Sequence, residues 1–175
     1  MTSRAVGTTL VRMRIRPAED KDIPAITALH NWAIRETVAL FHDDPVDEAD
    51  RRQWLDDRRR RGFPVLVADD GEFCGWASYG PFRPSPGYRH TVENSVYVHP
   101  DAHGKGVGSK LMTALIDAAR ADDSVHAVIA TIEGDNIGSL RLHEKLGFRE
   151  VGRLPEVGRK FDRWLDLAYL ELIVD

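Results

Sequence analysis

Asn94-Ser-Val-Tyr-Val-His-Pro-Asp-Ala-His-Gly-Lys-Gly-Val-Gly-Ser109 carries an apolar strand into a glycine loop and then into an amphipathic helix. Gly104, Gly106 and Gly108 can reach backbone angles closed to other residues and bare consecutive N–H groups. The helix that follows turns its unpaired N-terminal donors toward the same spot. It is signalled by Val107, Leu111, Leu115 and Ala119, flanked by Met112 and Ile116, at three- and four-residue intervals, while Lys110, Asp117 and Arg120 fall elsewhere. The segment reads as an anion site that would take a pyrophosphate. The alternative is an ordinary glycine-rich turn between strand and helix. Two phosphate motifs are excluded. Ser109 stands where a dinucleotide fingerprint needs its third glycine, and Gly104-Lys105 opens the loop, whereas a Walker loop closes with Gly-Lys-Ser/Thr.

Outward from this stretch, the chain alternates strand and helix patterns. Strands are expected over 13–16, 64–69, 71–79, 91–98, 125–132, 149–153 and 164–173, and helices over 20–37, from 47 to the arginines at 58–61, and over 139–146. Asp69-Asp70-Gly71 marks a hairpin turn. No repeat or linker divides the sequence, so it reads as one α/β (α+β) domain over 12–175 behind a flexible tail at 1–11.

Composition agrees with a globular enzyme. The 175 residues are 42% hydrophobic and 30% charged, with a net charge of −4, and this length suffices for a sizeable core. No apolar run approaches the roughly 20 residues of a membrane span, and the N-terminal residues lack the core of a secretion signal. A cytoplasmic protein is expected. The single cysteine, Cys74, permits no internal disulfide. Arg58-Arg-Arg-Arg61 suggests nucleic acid, but it ends a helix where cations suit the dipole, and the negative net charge opposes that partner. These four arginines read as a solvated face. His99 and His103 are four apart, but Pro100 breaks a shared helix, so no metal site is expected.

His103-Gly-Lys-Gly106-Val-Gly108 resembles the acyl-CoA signature of the GNAT superfamily of N-acetyltransferases, Arg/Gln-x-x-Gly-x-Gly/Ala, departing from it only at its first position. Asn136-Ile-Gly-Ser139-Leu-Arg-Leu-His143-Glu-Lys-Leu-Gly147-Phe148 is similar to that superfamily's Asn-x-x-Ala-x-x-x-Tyr-x-x-x-Gly-Phe. Gly75-Trp-Ala-Ser-Tyr-Gly-Pro-Phe-Arg83, Tyr88-Arg-His-Thr-Val-Glu93 and Gly158-Arg-Lys-Phe-Asp-Arg-Trp164-Leu-Asp166 narrow the likeness to the phosphinothricin and methionine sulfone or sulfoximine acetyltransferases. The resemblance implies a mixed central sheet of about seven strands with helices on both faces. It also implies acetyl-CoA as co-substrate, a small amino-acid-like acceptor, no metal, and a homodimer.

The resemblance further assigns roles. Glu93 is the expected base that takes the ammonium proton. Val96, Tyr97 and Val98 are expected to contact acetyl-CoA through their main chains, and His103, Gly104, Lys105, Gly106, Val107, Gly108 and Ser109 to cradle its pyrophosphate. Asn136, with Ser139 after it, is expected on the pantetheine arm, or else as a helix cap. His143 stands at the family's tyrosine position, either as the acid for the leaving thiolate or as a hydrogen-bonding neighbour. Thr37, Phe41, Tyr88 and Thr91 are expected around the acceptor. Arg83 and Arg89 are read as a guanidinium clamp for a carboxylate or sulfone oxygen pair. Two other readings stay open: an acetyltransferase for a polyamine, amino-sugar or protein N-terminus, and a CoA-binding sensor without catalysis.

Overall fold

The computed structural model describes residues 13–174; the tail expected over 1–11 lies outside them. Strand β1 (Arg14–Pro17) leads through a 3-10 turn into helix α1 (Ile23–Glu36) and then α2 (Glu48–Arg60). Strands β2 (Val65–Asp69), β3 (Phe73–Pro81) and β4 (Thr91–Val98) follow, then helix α3 (Val107–Arg120) and β5 (Ala127–Glu133). Helix α4 (Ile137–Lys145) and the hairpin β6 (Arg149–Lys160) and β7 (Arg163–Ile173) close the chain. The strands form one sheet in the order β1-β2-β3-β4-β5-β7-β6, antiparallel except where β4 meets β5. The mixed seven-stranded sheet expected from the resemblance is therefore present.

Each face carries its own helices. Alternation along β4 sends Val92, Val96 and Val98 to one side, where Leu111, Met112, Leu115 and Ile116 of α3 and Leu140 of α4 pack on them. It sends Tyr97 to the other, against Trp76, Trp54 and the apolar stripe of α1, Ile23, Ile26 and Leu29. Glu93 and Ser95 share the parity of Tyr97 and so lie on the α1/α2 face.

Two differences from the sequence reading have physical causes. Residues 20–22 form a 3-10 turn before α1, closed by the Asp22 side chain accepting from the Glu19 amide. Strand β6 runs to Lys160 instead of ending near 153. Its side chains are nearly all exposed, so it carries no apolar alternation, and Gly152, Pro155 and Gly158 read as breakers. An edge strand tolerates all three. A bulge at Glu156 (φ 51°) takes up the register shift between Leu154 and Gly158, and Phe161 and Asp162, both with positive φ, make the two-residue hairpin turn.

Edge strand β1 is fastened by two guanidinium groups, Arg14, which donates to Asp69 at 3.1 Å, and above all Arg16. Arg16 donates Nη1 and Nη2 to Asp22 at 2.7 and 2.8 Å and Nε to Asp69 at 2.7 Å. Burial raises the Asp22 carboxyl, but Arg16 and the Glu19 amide outweigh it and hold it below its usual range. The Arg16 hydrogen bond lowers Asp69 likewise. Arg16→Met leaves the Asp22 carboxylate without its guanidinium and Asp69 with Arg14 alone, and should destabilise the fold by about 3 kcal/mol at pH 7, read from urea midpoints. Carboxyls depressed in the folded state contribute stability above the ordinary carboxylate range and lose it as pH falls through the folded values. The deficit of the variant should therefore shrink in acid.

Candidate active site

Strands β4 and β5 pair at only three positions, Thr91↔Ala127, Val92↔Val128 and Glu93↔Ile129. Beyond Glu93, β4 stays with β3 as far as Gly75↔Val98, and β5 stays with β7 as far as Glu133↔Leu167. The two strands thus part, and a wedge opens through the sheet. A cavity of about 840 Å³ fills its mouth, walled by Val96, Tyr97 and Val98, the glycine loop, Asn136, Ser139 and Thr37. A narrower space of about 180 Å³, lined by Glu93, Asn94, Ser95, Thr131 and His143, continues to the apex. Ala39, Val96, Tyr97, Glu133, Asn136 and Ser139 line both. Because the wedge passes between the strands, Glu93 from one face of the sheet and Asn94 from the other border the same space.

The mouth is built for an anion. Gly106 is the N-cap of α3 with φ 74°, and no side chain caps the helix, so its first N–H groups stay open toward the cavity. A Cβ on Gly104 or Gly106 would meet nothing within 4 Å, so the left-handed angle, not crowding, requires glycine there. Of the loop residues expected at a cofactor, His103, Gly104, Gly106, Val107, Gly108 and Ser109 all line the cavity. Lys105 does not. Its amide turns back to the Ala102 carbonyl at 3.4 Å, and its side chain borders a separate groove beside Cys74 and His99. His103 ties loop to strand, donating from Nε2 to the Val98 carbonyl at 3.1 Å. Asn136 caps α4 by accepting from the Ser139 amide at 3.1 Å while lining both spaces.

At the apex, Glu93 accepts a hydrogen bond from the Thr131 hydroxyl through Oε1 and lies 3.8 Å from Arg83 Nη1 through Oε2. Arg83 also reaches the Tyr169 hydroxyl at 3.5 Å and stacks over Phe82. His143 is fully buried and packs edge-on against Phe148. Its Nδ1 lies 2.8 Å from the Ser139 carbonyl, which only accepts, so Nδ1 carries the proton. Its Nε2, 3.0 Å from Asn94 Nδ2, is then the acceptor. Burial lowers the imidazole pKa, with the Ser139 hydrogen bond acting weakly against it. With Asn94 in this orientation both ring nitrogens are engaged, and burial favours the neutral form.

The other acceptor residues read from the sequence are dispersed. Thr37 lines the mouth. Arg83, Tyr88, Arg89, Thr91 and Phe41 line neither space, although Arg83 reaches Glu93. Arg89 donates to the Pro86 carbonyl of its own turn, so it forms no clamp with Arg83. Tyr88 packs edge-on to Phe82. The Thr91 carbonyl takes the Phe82 amide at the start of β4. Phe41 lies over Gly158 of β6, where a Cβ would come within 2.3 Å of the ring.

Two features escaped the sequence reading. Buried Glu133 stands at the junction of mouth and apex and accepts the Asp135 amide at 3.1 Å. Its signal was its place at the carboxyl end of a strand beside the wedge, where α/β sheets bind ligands. Arg58 is not part of a solvated face. Its guanidinium lies against Gly80, between Trp54 and Phe63, with Nε buried and unpartnered.

A parted parallel strand pair with an open glycine-rich helix N-terminus at its mouth is the architecture of an acyl-CoA-dependent transferase. Residues 26–148 match the Acetyltransferase (GNAT) family, and the chain belongs to it. It is 49% identical over 163 residues to the L-methionine sulfoximine/L-methionine sulfone acetyltransferase of Pseudomonas aeruginosa, covering 92% of this chain and 94% of that one. It is 40% identical over 163 residues to the phosphinothricin N-acetyltransferase of Streptomyces coelicolor, covering 91% and 95%. Its fold superposes with a TM-score of 0.91 on yncA of Salmonella typhimurium, solved with its cofactor acetyl-CoA, at 45% identity over 94% of this chain and 95% of that one.

The tautomer of His143 is directly measurable. Its 15N shifts at pH 6 should report a neutral ring protonated at Nδ1, whereas a free imidazole, with a pKa of about 6.5, is mostly cationic there. Asn94→Leu should remove the donor to Nε2 and shift that nitrogen while leaving Nδ1 in place. A cationic His143 at pH 6 would contradict the assignment.

Proposed function

We propose that the protein transfers the acetyl group of acetyl-CoA to the α-amino group of a small amino-acid analogue, of the methionine sulfone, methionine sulfoximine or phosphinothricin kind. The observation that carries this reading is a carboxylate, Glu93, held by Thr131 at the apex of a wedge whose mouth is an open helix N-terminus. Acetyl-CoA supplies the activated thioester. The α3 donors and the glycine loop hold its pyrophosphate, and Asn136 and Ser139 border its arm. Main-chain groups of Val96, Tyr97 and Val98, released from pairing with β5, face the thioester carbonyl.

Glu93 takes one proton from the acceptor's ammonium group, leaving a neutral nitrogen to attack. That nitrogen's second proton goes to the departing thiolate as the amide forms. His143 has no proton free to give, so we assign it a positioning role: it fixes Asn94 beside the apex. Arg83, exposed and only 3.8 Å from one oxygen of Glu93, is available to an acceptor carboxylate, phosphinate or sulfone, because an exposed ion pair of this kind contributes at most about 1 kcal/mol. Acetyl transfer proceeds in a ternary complex, without a covalent enzyme intermediate or a metal.

The protein acts in the cytoplasm as a homodimer in this proposal, in a detoxifying or resistance role. The exposed apolar side chains of the terminal hairpin, Val151, Leu154, Val157 and Trp164, support the dimer. Among the described residues no helix is long and apolar enough to cross a membrane.

A second reading has one observation behind it. Glu36, Glu133 and Asp135 line the mouth against the single cation Arg163, which suits a polyamine or amino-sugar acceptor.

Incubation with acetyl-CoA and a panel of methionine sulfone, methionine sulfoximine, phosphinothricin, spermidine and an amino-sugar separates these readings by thiol release and product mass. Turnover of the first three alone is expected; turnover of only the cationic amines would replace the proposal with the second reading. Glu93→Gln should lower kcat by roughly 10² to 10³ while acetyl-CoA binding, measured by calorimetry, stays unchanged. A wild-type protein that binds acetyl-CoA but acetylates nothing would point to a sensor.

A further inference from the structure

Lys160, at the end of β6, is buried to 4% exposure, and among the described residues it is bonded to no carboxylate. Its Nζ donates to three backbone carbonyls instead: Ile34 at 2.6 Å, Thr37 at 2.9 Å and Leu40 at 2.6 Å. Three acceptors require three N–H donors, which only the ammonium form possesses. Ile34 lies in the last turn of α1, whose terminal carbonyls have no partner within the helix and attract a cation. The other two carbonyls belong to the loop after α1. One side chain thus ends the helix and fixes the path of the next four residues.

Those residues border the proposed acceptor site. Thr37, Val38 and Ala39 line the mouth of the wedge, and Ala39 and Leu40 line its apex opposite Glu93 and Thr131. A second contact reinforces the first. The Phe41 ring fills the notch left by Gly158, two residues before Lys160 on the same strand. Just past Lys160, the hairpin contributes Phe161 and Arg163 to the mouth.

We propose that Lys160, with the Phe41–Gly158 contact, is a positioning device: it clasps the 37–41 loop to the terminal hairpin and so sets the dimensions of the acceptor pocket. The residue touches neither substrate. It acts through the Leu40 and Thr37 carbonyls on the space available to the acceptor, and not on the glycine loop that holds acetyl-CoA. The proposal rests on the reading of the apex as the acceptor site, and its test separates the two.

Lys160→Met keeps the length of the side chain and removes all three donors. In the full-length enzyme it should raise the KM for methionine sulfone by roughly tenfold or more, with the KM for acetyl-CoA changed less than about twofold and kcat less affected than the acceptor KM. Selectivity between short and long acceptor side chains should narrow. Restoring the ammonium should rescue the effect: Lys160→Cys in a Cys74→Ala background, alkylated with 2-bromoethylamine, should return the acceptor KM to within about threefold of that background.

Hydrogen exchange without substrate provides an arm independent of the reaction. The amides of the 37–41 loop should lose protection in Lys160→Met while those of α3 keep theirs. Should Lys160→Met not fold, Gly158→Ala, which displaces Phe41, should give the same split in KM and the same local loss of protection. An acceptor KM within twofold of wild type, or equal rises for both substrates, overturns the clasp. A wild-type enzyme inactive on every α-amino acid overturns the acceptor reading instead, and the exchange experiment then decides the clasp alone.

Discussion

The rest of the site depends on the failure of β4 and β5 to stay paired. A parallel ladder that ran the full length of both strands would place backbone against backbone where the cavity now lies, and Glu93 would be sealed inside the sheet. Instead three pairs form and the strands part, each kept flat by its other neighbour: β4 by seven antiparallel pairs with β3, β5 by seven with β7. Buried backbone groups left without partners are costly. Opening the wedge therefore creates a demand for hydrogen bonds along the inner edge of β4. A substrate arm that carries amide and thioester oxygens answers that demand, and water answers it otherwise.

The same opening explains how one small space mixes two electrostatic environments. Glu93 belongs to the α1/α2 face, is partly exposed, and has a hydroxyl and a guanidinium near its two oxygens. His143 belongs to the α3/α4 face, where burial beside Phe148 disfavours charge. Only the gap between the strands lets them border one cavity. In the proposed mechanism the carboxylate exchanges a proton with the bound amine, and the imidazole orients Asn94. At the position where the resemblance places a tyrosine, this histidine offers Asn94 a ring nitrogen instead of a hydroxyl.

How far the sequence was legible follows from where each signal is stored. The glycine loop was readable because its requirements are local: Gly104 and Gly106 are demanded by their own backbone angles, and the apolar stripe of α3 repeats within its own fourteen residues. Helix α1 and the first five strands were readable for the same reason. The length of β6 was hidden because a solvent-exposed edge strand has no buried face to impose alternation, and Pro155 and Gly158 read as an end. Arg58 was hidden because Trp54 and Phe63, though close to it in sequence, enclose it only once the bare surface of Gly80 on β3 packs against it. Arg83 and Arg89 flank one loop in sequence, but Arg89 turns to a carbonyl of its own turn while Arg83 reaches toward Glu93, a divergence of side chains that sequence does not display.

This division also separates the two substrates physically. In the proposed arrangement the acetyl-CoA side is one continuous run of strand, loop and helix, its donors set by backbone geometry. The acceptor side is assembled from Glu93 on β4, Thr131 on β5 and a loop after α1 that is held by a strand end more than a hundred residues away. Little of it is local, so its shape is set by a few long-range fasteners of which Lys160 makes the most bonds. In the proposed arrangement, changes at those fasteners alter which amine fits and leave the seat of the thioester in place, because that seat is built from one run of β4, glycine loop and α3.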